Sequence, residues 1–555
     1  MRFCNDMRCV EKRDLLTIAV VTILLTISYE SVFRSFWQPR LVVFLIILFL
    51  VIVSKFLEKQ INPRNADVLN PSEKIVVFIT IFLSTFSFVL IHWALGVFPL
   101  DNADRVIMTL RMPVEGFTSI FVADFFKTSL FFCVVLFVFT LLFFLKVFKF
   151  FKKEKKSLLI PLVCFFVLDA YWIEHDISRA SIKQYLNYFF SEAPSLENSS
   201  FFEENFIPVQ DSLISADGYT RNLILIFLES IENNFFEYMP ELKRIAEENY
   251  SFNNEVGLGG GYSVVGASFT MGSIVANTTG LPLLFFSRAV EKISNSGSYV
   301  YFPNQKSIFD ILHNYDYENV FLQGTPSTFA GGKNFFINHG IDQIYDVDNI
   351  DIPKEYSFDK HMADFHPGFS DRTLFDVAKS ILDTLSKKKF SLTLATIDTH
   401  FPHGFLDEKC LFKPSDKSEI EIFKTVLKCS SASIYSFVNW VKTQPYGDNT
   451  MIVLIGDHPF MGNIIVGGIP QENRKFVNAY INPKKPLLNT KRAVTAFDMY
   501  PTILDGMGFY VKDGGLALGR SLFGEEKTLI EKMGKDSLDG ELKKVMISRE
   551  YQGIL

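Results

Sequence analysis

Apolar residues are distributed unevenly along the chain, with long runs in the first third and short runs beyond it. A helix needs about 20 mainly apolar residues to cross a bilayer. The second to fourth long runs meet this requirement, whereas the first and fifth are marginal, and the fifth contains an aspartate. The pattern predicts a five-helix transmembrane N-terminal domain over residues 1–174, with spans near Leu15–Ile27, Leu41–Leu57, Ile75–Leu100, Ser129–Phe148 and Leu158–Ile173.

Positively charged residues cluster on one side of these predicted spans. Lysines and arginines are frequent in the first 13 residues, between residues 55 and 74, and in the segment KVFKFFKKEKK at 146–156. Loops rich in lysine and arginine stay in the cytoplasm. In a five-span arrangement the three segments share one side, so the N-terminus is predicted to be cytoplasmic and the residues after about 175 to be extracytoplasmic.

The rest of the chain alternates short apolar runs with segments long enough for helices. After a polar linker at 175–215 come five runs with the character of buried strands: NLILIFLE, NVFLQG, SLTLATID, MIVLIGD and FVNAYINP. Strands that alternate with crossover helices are typical of α/β domains with a mainly parallel sheet. We therefore predict such a domain over residues 216–524, followed by a charged C-terminal tail at 525–555.

Composition narrows the functional classes further. Charged residues make up 21% of the 555 residues and hydrophobic residues 48%, whereas soluble proteins average about 25% charged residues. The net charge of −6 offers no basic surface for nucleic acid, so no nucleic-acid partner is expected. Six cysteines are too few for a disulfide-stabilised scaffold in a chain of this length.

Three of the predicted strands end in side chains that can bind a metal ion. The first is followed by Glu229, another by Asp398, Thr399 and His400, and a third by Asp457 and His458. Taken singly, the glutamate could be a loop acid or a helix cap, and the Asp-His pair could be structural. In open α/β sheets, however, ligands bind beyond the carboxyl ends of the strands. The joint placement therefore predicts a site for a divalent cation.

A possible nucleophile follows a glycine-rich stretch at 257–261. Thr270 precedes a helix-like segment, MGSIVAN, and a hydroxyl at a helix N-terminus faces free N–H groups that favour a phosphate. A metal ion beside this hydroxyl would make its alkoxide accessible near neutral pH. The alternative is that Thr270 serves as a helix N-cap.

Four segments resemble the lipoteichoic acid synthase and phosphoglycerol transferase I group of the alkaline phosphatase/sulfatase-like superfamily. They are LIFLES, FTMGSIVANTTGLPL, DTHFPHG and LIGDHPF. The resemblance implies that Thr270 is the catalytic nucleophile and, with Glu229, Asp457 and His458, a metal ligand. It implies substrate contacts for His400 and, through a looser match in TFAGGKNFF, for Lys333.

The same resemblance implies a reaction. A metal-dependent enzyme would transfer phosphoglycerol from phosphatidylglycerol to a hydroxyl acceptor on a cell-envelope glycan or polymer, through a covalent phosphothreonine intermediate. One divalent ion is expected, Mn²⁺ first, with Mg²⁺ or Zn²⁺ as alternatives. The chain would be a multi-pass protein of the bacterial cytoplasmic (inner) membrane, with its catalytic domain outside the cytoplasm.

Several alternatives remain open from the sequence. A true sulfatase is excluded, because ASFTMGS lacks the proline and arginine of the C/S-x-P-x-R segment that is converted to formylglycine. A phosphoethanolamine transferase acting on lipid A or a glycan would use similar machinery, although its outer domain is typically richer in disulfides. A non-catalytic membrane sensor or scaffold is a third reading. Cys410 and Cys429 could form one disulfide in an oxidising compartment.

Overall fold

A computed structural model describes most of the chain beyond residue 199. The described residues are 200–545 without 217, 254–259, 284–301, 303, 351–367, 402, 462–463 and 487–488, together with a few positions between 78 and 141. Apart from those few positions, the five predicted membrane spans lie outside the described residues. Within the part of the chain that the structure describes, none of the helices combines the length and apolarity needed to traverse a bilayer.

A six-stranded sheet forms the centre of residues 200–545. Its strands lie in the order β3-β2-β4-β1-β5-β6, and all neighbours are parallel except β5 and β6. The central strands are buried along their whole length, as expected for a sheet covered on both faces. Their bounds are β1 Asn222–Leu228, β2 Glu318–Gln323, β3 Gln343–Tyr345, β4 Phe390–Ala395, β5 Thr450–Gly456 and β6 Asn478–Ile481.

Helices cover both faces of this sheet, and each face has its own hydrophobic core. The strand residues alternate between the two cores, so that Leu223, Leu225 and Phe227 face one and Ile224, Ile226 and Leu228 face the other. The helices are α1 Phe201–Asn205, α2 Pro240–Glu248, α3 Thr270–Thr279, α4 Ile308–His313, α5 Gly332–Asn338, α6 Asp371–Leu385, α7 Glu419–Lys442, α8 Ala496–Met507, α9 Leu529–Met533 and α10 Lys535–Val545.

The prediction of an α/β domain with a mainly parallel sheet is confirmed. Each of the five apolar runs overlaps one of the observed strands, and their bounds differ by a few residues at most. Two features were not predicted: the short edge strand β3, which has only three residues, and the antiparallel direction of β6. The first is too short to leave a pattern in the sequence, and an apolar run such as that of β6 carries no sign of the direction in which its strand pairs.

A disulfide joins Cys410 to Cys429, with 5.9 Å between their Cα atoms. Cys410 lies in the loop between β4 and α7, and Cys429 lies within α7. The bond therefore fixes the second half of this loop to the helix that follows it.

Candidate active site

Strands β1 and β5 bring Glu229, Asp457 and His458 together. Strands β1 and β5 pair in register, with Leu228 opposite Gly456, so the residues that follow them emerge side by side. The ligand atoms of the three side chains all lie within 4.8 Å of one another. His458 Nε2 is 3.4 Å from Asp457 Oδ2 and 3.9 Å from Glu229 Oε1. All three residues are buried, so they form an internal wall of the site rather than its mouth.

Ser230 locks the two strand ends to each other. Its N–H donates to Asp457 Oδ1 at 2.7 Å, and its hydroxyl donates to Glu229 Oε1 at 2.6 Å. The residue has a φ of 56°, in the left-handed region that non-glycine residues rarely adopt. Such strain persists where the surroundings over-determine it, and it is concentrated at functional sites. Here the two hydrogen bonds aim both carboxylates at one point.

Hydrogen bonds from the neighbouring segments orient the remaining groups. His458 Nδ1 lies 2.9 Å from the carbonyl oxygen of Pro459, which can only accept, so Nδ1 carries the proton and Nε2 presents its lone pair to the carboxylates. The backbone of Glu229 is held on both sides by the segment after β4. Its N–H donates to Thr396 Oγ1 at 2.9 Å, and its carbonyl accepts from Thr399 Oγ1 at 2.5 Å.

Thr270 completes the cluster from the other side. It is the first residue of α3, and the N-cap position belongs to Phe269, so Thr270 is not the N-cap that the sequence left as an alternative. Its hydroxyl donates to Glu229 Oε2 at 3.3 Å and lies 3.5 Å from His458 Nε2. Thr270 is only part-buried, unlike the three side chains behind it. Part of the Thr270 surface is therefore open to solvent.

Two carboxylates are buried side by side in this cluster, and this arrangement is suited to binding a cation. Burial raises the pKa of Asp457 to about 7, and burial together with the charge of Asp457 raises the pKa of Glu229. Among the ion pairs of the described residues, none joins either carboxylate to a lysine or arginine. Asp457 Oδ2 is buried and has no hydrogen-bond partner. Two carboxylates and an imidazole with this unsatisfied oxygen fit a divalent metal ion.

His400 lies near the cluster, and Lys333 lies at the start of a neighbouring helix. His400 is half-buried, and its charge lowers the pKa of Glu229. Its Nδ1 lies 2.8 Å from the carbonyl oxygen of Phe401, which can only accept, so Nδ1 carries a proton. Lys333 is exposed at the N-terminus of α5. The residue before it packs against the residue after Thr270, because a Cβ added at Gly332 would lie 3.2 Å from the Met271 sulfur.

Sequence reasoning missed the residue that supports the His400 segment. Asp371, the first residue of α6, is buried, and its Oδ1 accepts from the N–H groups of Ile397 at 2.7 Å and Asp398 at 3.3 Å. Burial raises its pKa to about 6. An aspartate at a helix start is common, since it favours the positive end of the helix dipole, so nothing in the sequence marks this one.

Asp371→Ala is expected to lower the turnover of any substrate that contacts His400 by roughly tenfold, because two N–H groups, one buried and one part-buried, would lose their acceptor. Asp371→Asn keeps an acceptor oxygen and should retain most of the activity. Comparison of kcat and KM in both variants checks this, with Asp376→Ala as the control, because Asp376 lies on the same helix and pairs with Lys379. Equal losses in the Ala and control variants would contradict the supporting role.

The same carboxylate predicts a pH effect on stability. Its folded pKa of about 6 is above the unfolded value of about 4, so its ionisation is costlier in the folded state. The neutral Asp371 side chain therefore adds to the free energy of unfolding below about pH 4, and this contribution is lost as the pH rises from about 4 to about 6. The Asp371→Asn variant should lack this component of the melting-temperature profile.

Comparison with known proteins places these observations in a family. The family model described as Sulfatase matches residues 221–509, which span the sheet and all the residues of the cluster. Phosphoglycerol transferase I of Escherichia fergusonii is 32% identical over 315 residues, which cover 54% of this chain and 38% of that protein. The chain thus spans less than half the length of the curated relatives that it matches.

Two solved structures are also similar. One is a protein in the alkaline phosphatase superfamily from Vibrio parahaemolyticus, with 22% identity and a TM-score of 0.44, covering 60% of this chain and 78% of that one. The other is the lipoteichoic acid synthase LtaP from Listeria monocytogenes, with 17% identity and a TM-score of 0.42, covering 56% of this chain and 78% of that one.

Proposed function

This chain belongs to the sulfatase family, and from that premise we propose that it transfers phosphoglycerol from phosphatidylglycerol to a hydroxyl acceptor on a cell-envelope glycan or polymer. The observation that carries the proposal is the position of one hydroxyl. Thr270 Oγ1 lies 3.3 Å from Glu229 Oε2 and 3.5 Å from His458 Nε2, and Thr270 is the first residue of α3 and is partly open to solvent. The match to phosphoglycerol transferase I of Escherichia fergusonii supports the choice of head group.

In the first step, the Thr270 oxygen attacks the phosphorus of the donor. A bond forms between this oxygen and phosphorus, and the bond between phosphorus and the diacylglycerol oxygen breaks. The hydroxyl proton leaves Thr270 and ends on the departing diacylglycerol. The product is a glycerophospho-threonine. Free N–H groups at the start of α3 favour the negatively charged phosphate in this position.

In the second step, an acceptor hydroxyl attacks the same phosphorus. The new bond joins phosphorus to the acceptor oxygen, and the bond to Thr270 breaks, so that the acceptor proton returns to the threonine. Within each step, His400 Nε2 can take up the proton of the attacking hydroxyl and pass it to the departing oxygen, because Nδ1 is committed to the Phe401 carbonyl. The division into two displacements is what a covalent nucleophile provides.

The residues that would hold a divalent cation are Glu229, Asp457, His458 and Thr270. When bound, such an ion supplies positive charge that lowers the pKa of the Thr270 hydroxyl and offsets the charge of the phosphate. Mn²⁺ is our first choice, with Mg²⁺ and Zn²⁺ as alternatives, because the ligand set is rich in oxygen but contains one imidazole. The hydrogen bond to Glu229 orients the Thr270 hydroxyl, and burial shields the Glu229 and Asp457 carboxylates from water.

The proposed place of the reaction is the outer face of the bacterial cytoplasmic membrane. A lipid head group must be met at the bilayer surface, and the long apolar runs before residue 175 are suited to anchor the chain there. The proposed arrangement has five spans over residues 1–174, a linker at 175–215, the catalytic domain at 216–524 and a tail at 525–555. The Cys410–Cys429 disulfide supports an oxidising compartment for the catalytic domain.

Mass spectrometry of the Thr270 peptide tests the proposal. The full chain, supplied with Mn²⁺, is incubated with phosphatidylglycerol in the absence of an acceptor, and a parallel sample receives phosphatidylethanolamine. We expect a glycerophosphate adduct on Thr270 in the first sample. An ethanolamine phosphate adduct in the second sample, with no adduct in the first, would identify phosphatidylethanolamine as the donor in place of phosphatidylglycerol. The absence of both adducts in a metal-bound chain would overturn the covalent mechanism.

A further inference from the structure

A buried ion pair joins the two loops that carry the candidate metal ligands. Glu232 lies in the loop after β1, three residues beyond Glu229, and Arg474 lies in the segment before β6. The glutamate side chain is 0% exposed and the arginine side chain 9%. Arg474 Nε donates to Glu232 Oε2 at 2.9 Å, and Arg474 Nη2 donates to the same oxygen. A pair of charges removed from water is costly, so it is retained where it serves a further purpose.

The same ion pair also holds the loop after β5. Phe460, two residues beyond His458, donates its N–H to Glu232 Oε2 at 3.1 Å. The carbonyl oxygen of Phe460 accepts from Arg474 Nη2. Both backbone polar groups of Phe460 are therefore bonded to the ion pair, which connects the loop of His458 to the loop of Glu229. We name Glu232, Arg474 and Phe460 the buried brace.

Backbone pairing fixes the segment that supplies the arginine. Asn233 donates its N–H to the carbonyl oxygen of Lys475 at 2.8 Å, and the N–H of Lys475 donates to Asn233 Oδ1 at 3.1 Å. Glu232 forms an antiparallel bridge with Phe476. Arg474 thus approaches Glu232 from a segment that is itself bonded to the loop after β1.

The orientation of the His458 imidazole depends on the backbone that the brace holds. His458 Nδ1 is bonded to the carbonyl oxygen of Pro459, the residue between His458 and Phe460. A shift of Phe460 would move this carbonyl and turn the ring, which would change the direction of the Nε2 lone pair. The brace therefore acts on one metal ligand through Phe460 and on Glu229 through the loop after β1.

Without a cation, the buried carboxylates of Glu229 and Asp457 repel each other, so their spacing has to be maintained from outside. We propose that the buried brace holds the two loops at the spacing that binds a divalent cation, so that Glu232 and Arg474 are positioning residues for the metal site. Groups that orient metal ligands from outside contribute about 10- to 100-fold to metal affinity. The inference rests on the proposed function, because the ion is the one on which the proposed transfer depends.

Titration of the full chain with Mn²⁺ tests the brace. Glu232→Met combined with Arg474→Met removes both charges together, so that no buried charge is left without its partner. We expect this double variant to raise the Kd for Mn²⁺ about 10- to 100-fold, because the loop of His458 is no longer bonded to the loop of Glu229. The electron paramagnetic resonance signal of free Mn²⁺ measures the Kd without any turnover.

The chain offers a matched control in a second buried arginine–glutamate pair. Arg492 Nε lies 2.8 Å from Glu531 Oε1, and the two side chains are 7% and 18% exposed. Arg492 also donates to the carbonyl oxygens of Gly524 and Glu526, so this pair fastens α9 to the segment before α8. Arg492→Met combined with Glu531→Met should leave the Kd for Mn²⁺ within about twofold of the wild-type value, since independent sites do not couple.

A conservative variant keeps the test sharp if the double variant does not fold. Arg474→Lys retains a cation beside Glu232, but one ammonium group cannot reproduce the fork that reaches both Glu232 and the Phe460 carbonyl. It should fold and raise the Kd roughly fivefold. Melting temperatures in the presence of a chelator establish which variants are folded.

A spectroscopic signature separates positioning from a general loss of stability. At saturating Mn²⁺, electron spin echo modulation from an imidazole nitrogen should be present in the wild-type and control chains and weakened in the brace variants. An unchanged Kd in folded brace variants would overturn the proposal, as would an equal rise in the control. A wild-type chain that binds no Mn²⁺ would overturn the cation site and the brace with it. Failure of phosphoglycerol transfer alone would leave all these binding results unaltered.

Discussion

Replacing Thr270 with alanine is expected to reduce phosphoglycerol transfer by about 10³-fold or more, because the oxygen that attacks phosphorus would be missing. The fold should be retained, since the side chain is part-buried at a helix start and its one donated hydrogen bond is long, at 3.3 Å to Glu229. The measurement is diacylglycerol release from phosphatidylglycerol by the full chain, with the melting temperature determined on the same preparation.

Two further variants separate the nucleophile from the shape of the site. Thr270→Ser keeps the hydroxyl and should retain measurable transfer, whereas Thr270→Val keeps the shape and should be as inactive as the alanine variant. Transfer at the wild-type rate by Thr270→Ala would sink the assignment. Loss of activity in all three variants with a lowered melting temperature would point to a structural role of this position instead.

The second large effect concerns the metal ion. Asp457→Asn and Glu229→Gln are each expected to abolish stoichiometric Mn²⁺ binding, because each removes one of two buried carboxylates from the cluster. A ligand that binds only the folded state at 100 times its Kd adds about 2.7 kcal/mol of stability. The wild-type chain should therefore melt at a higher temperature with Mn²⁺ than with a chelator, and this difference should vanish in both variants.

The chelator-treated proteins provide the sharper comparison. Without a cation, two buried carboxylates repel each other and lose hydration, so Asp457→Asn should be at least as stable as the wild type under that condition. With Mn²⁺ the order should reverse. Glu248→Gln serves as the control, because this glutamate pairs with Arg244 on the surface of α2. Unchanged metal content in Asp457→Asn would move the site elsewhere.

Much of the candidate site could be predicted from the sequence because polar residues interrupt apolar strands at informative points. Glu229 and Asp457 follow strands that are apolar along their length, and adjacent parallel strands end at a common edge. The sequence alone thus indicated that the two side chains would meet. His458 follows directly from Asp457, whereas Thr270 is indicated by its place before a helix-like segment, and its role as nucleophile is implied by that segment's resemblance to a family.

What the sequence concealed depends on contacts between distant segments. Ser230 has a left-handed φ because its N–H donates to Asp457 and its hydroxyl donates to Glu229. A serine gives no local sign of that conformation in the sequence. Two other hydrogen bonds also join distant segments. The Thr399 hydroxyl donates to the Glu229 carbonyl, and the Ile397 N–H donates to Asp371 Oδ1. Each joins residues that are many positions apart, where neither periodicity nor turn chemistry carries information.

The pairing of β1 with β5 has a consequence for the order of events during folding. Ser230 and Asp457 are 227 residues apart in the chain, and the cluster exists only after these strands have come into register. Contacts of such long range form late and slowly, since the loop entropy must be overcome first. A nascent chain that has emerged only as far as β4 therefore has no complete ion-binding cluster. Binding of a metal ion would therefore show that β5 has paired with β1, and the bound ion would then slow unfolding.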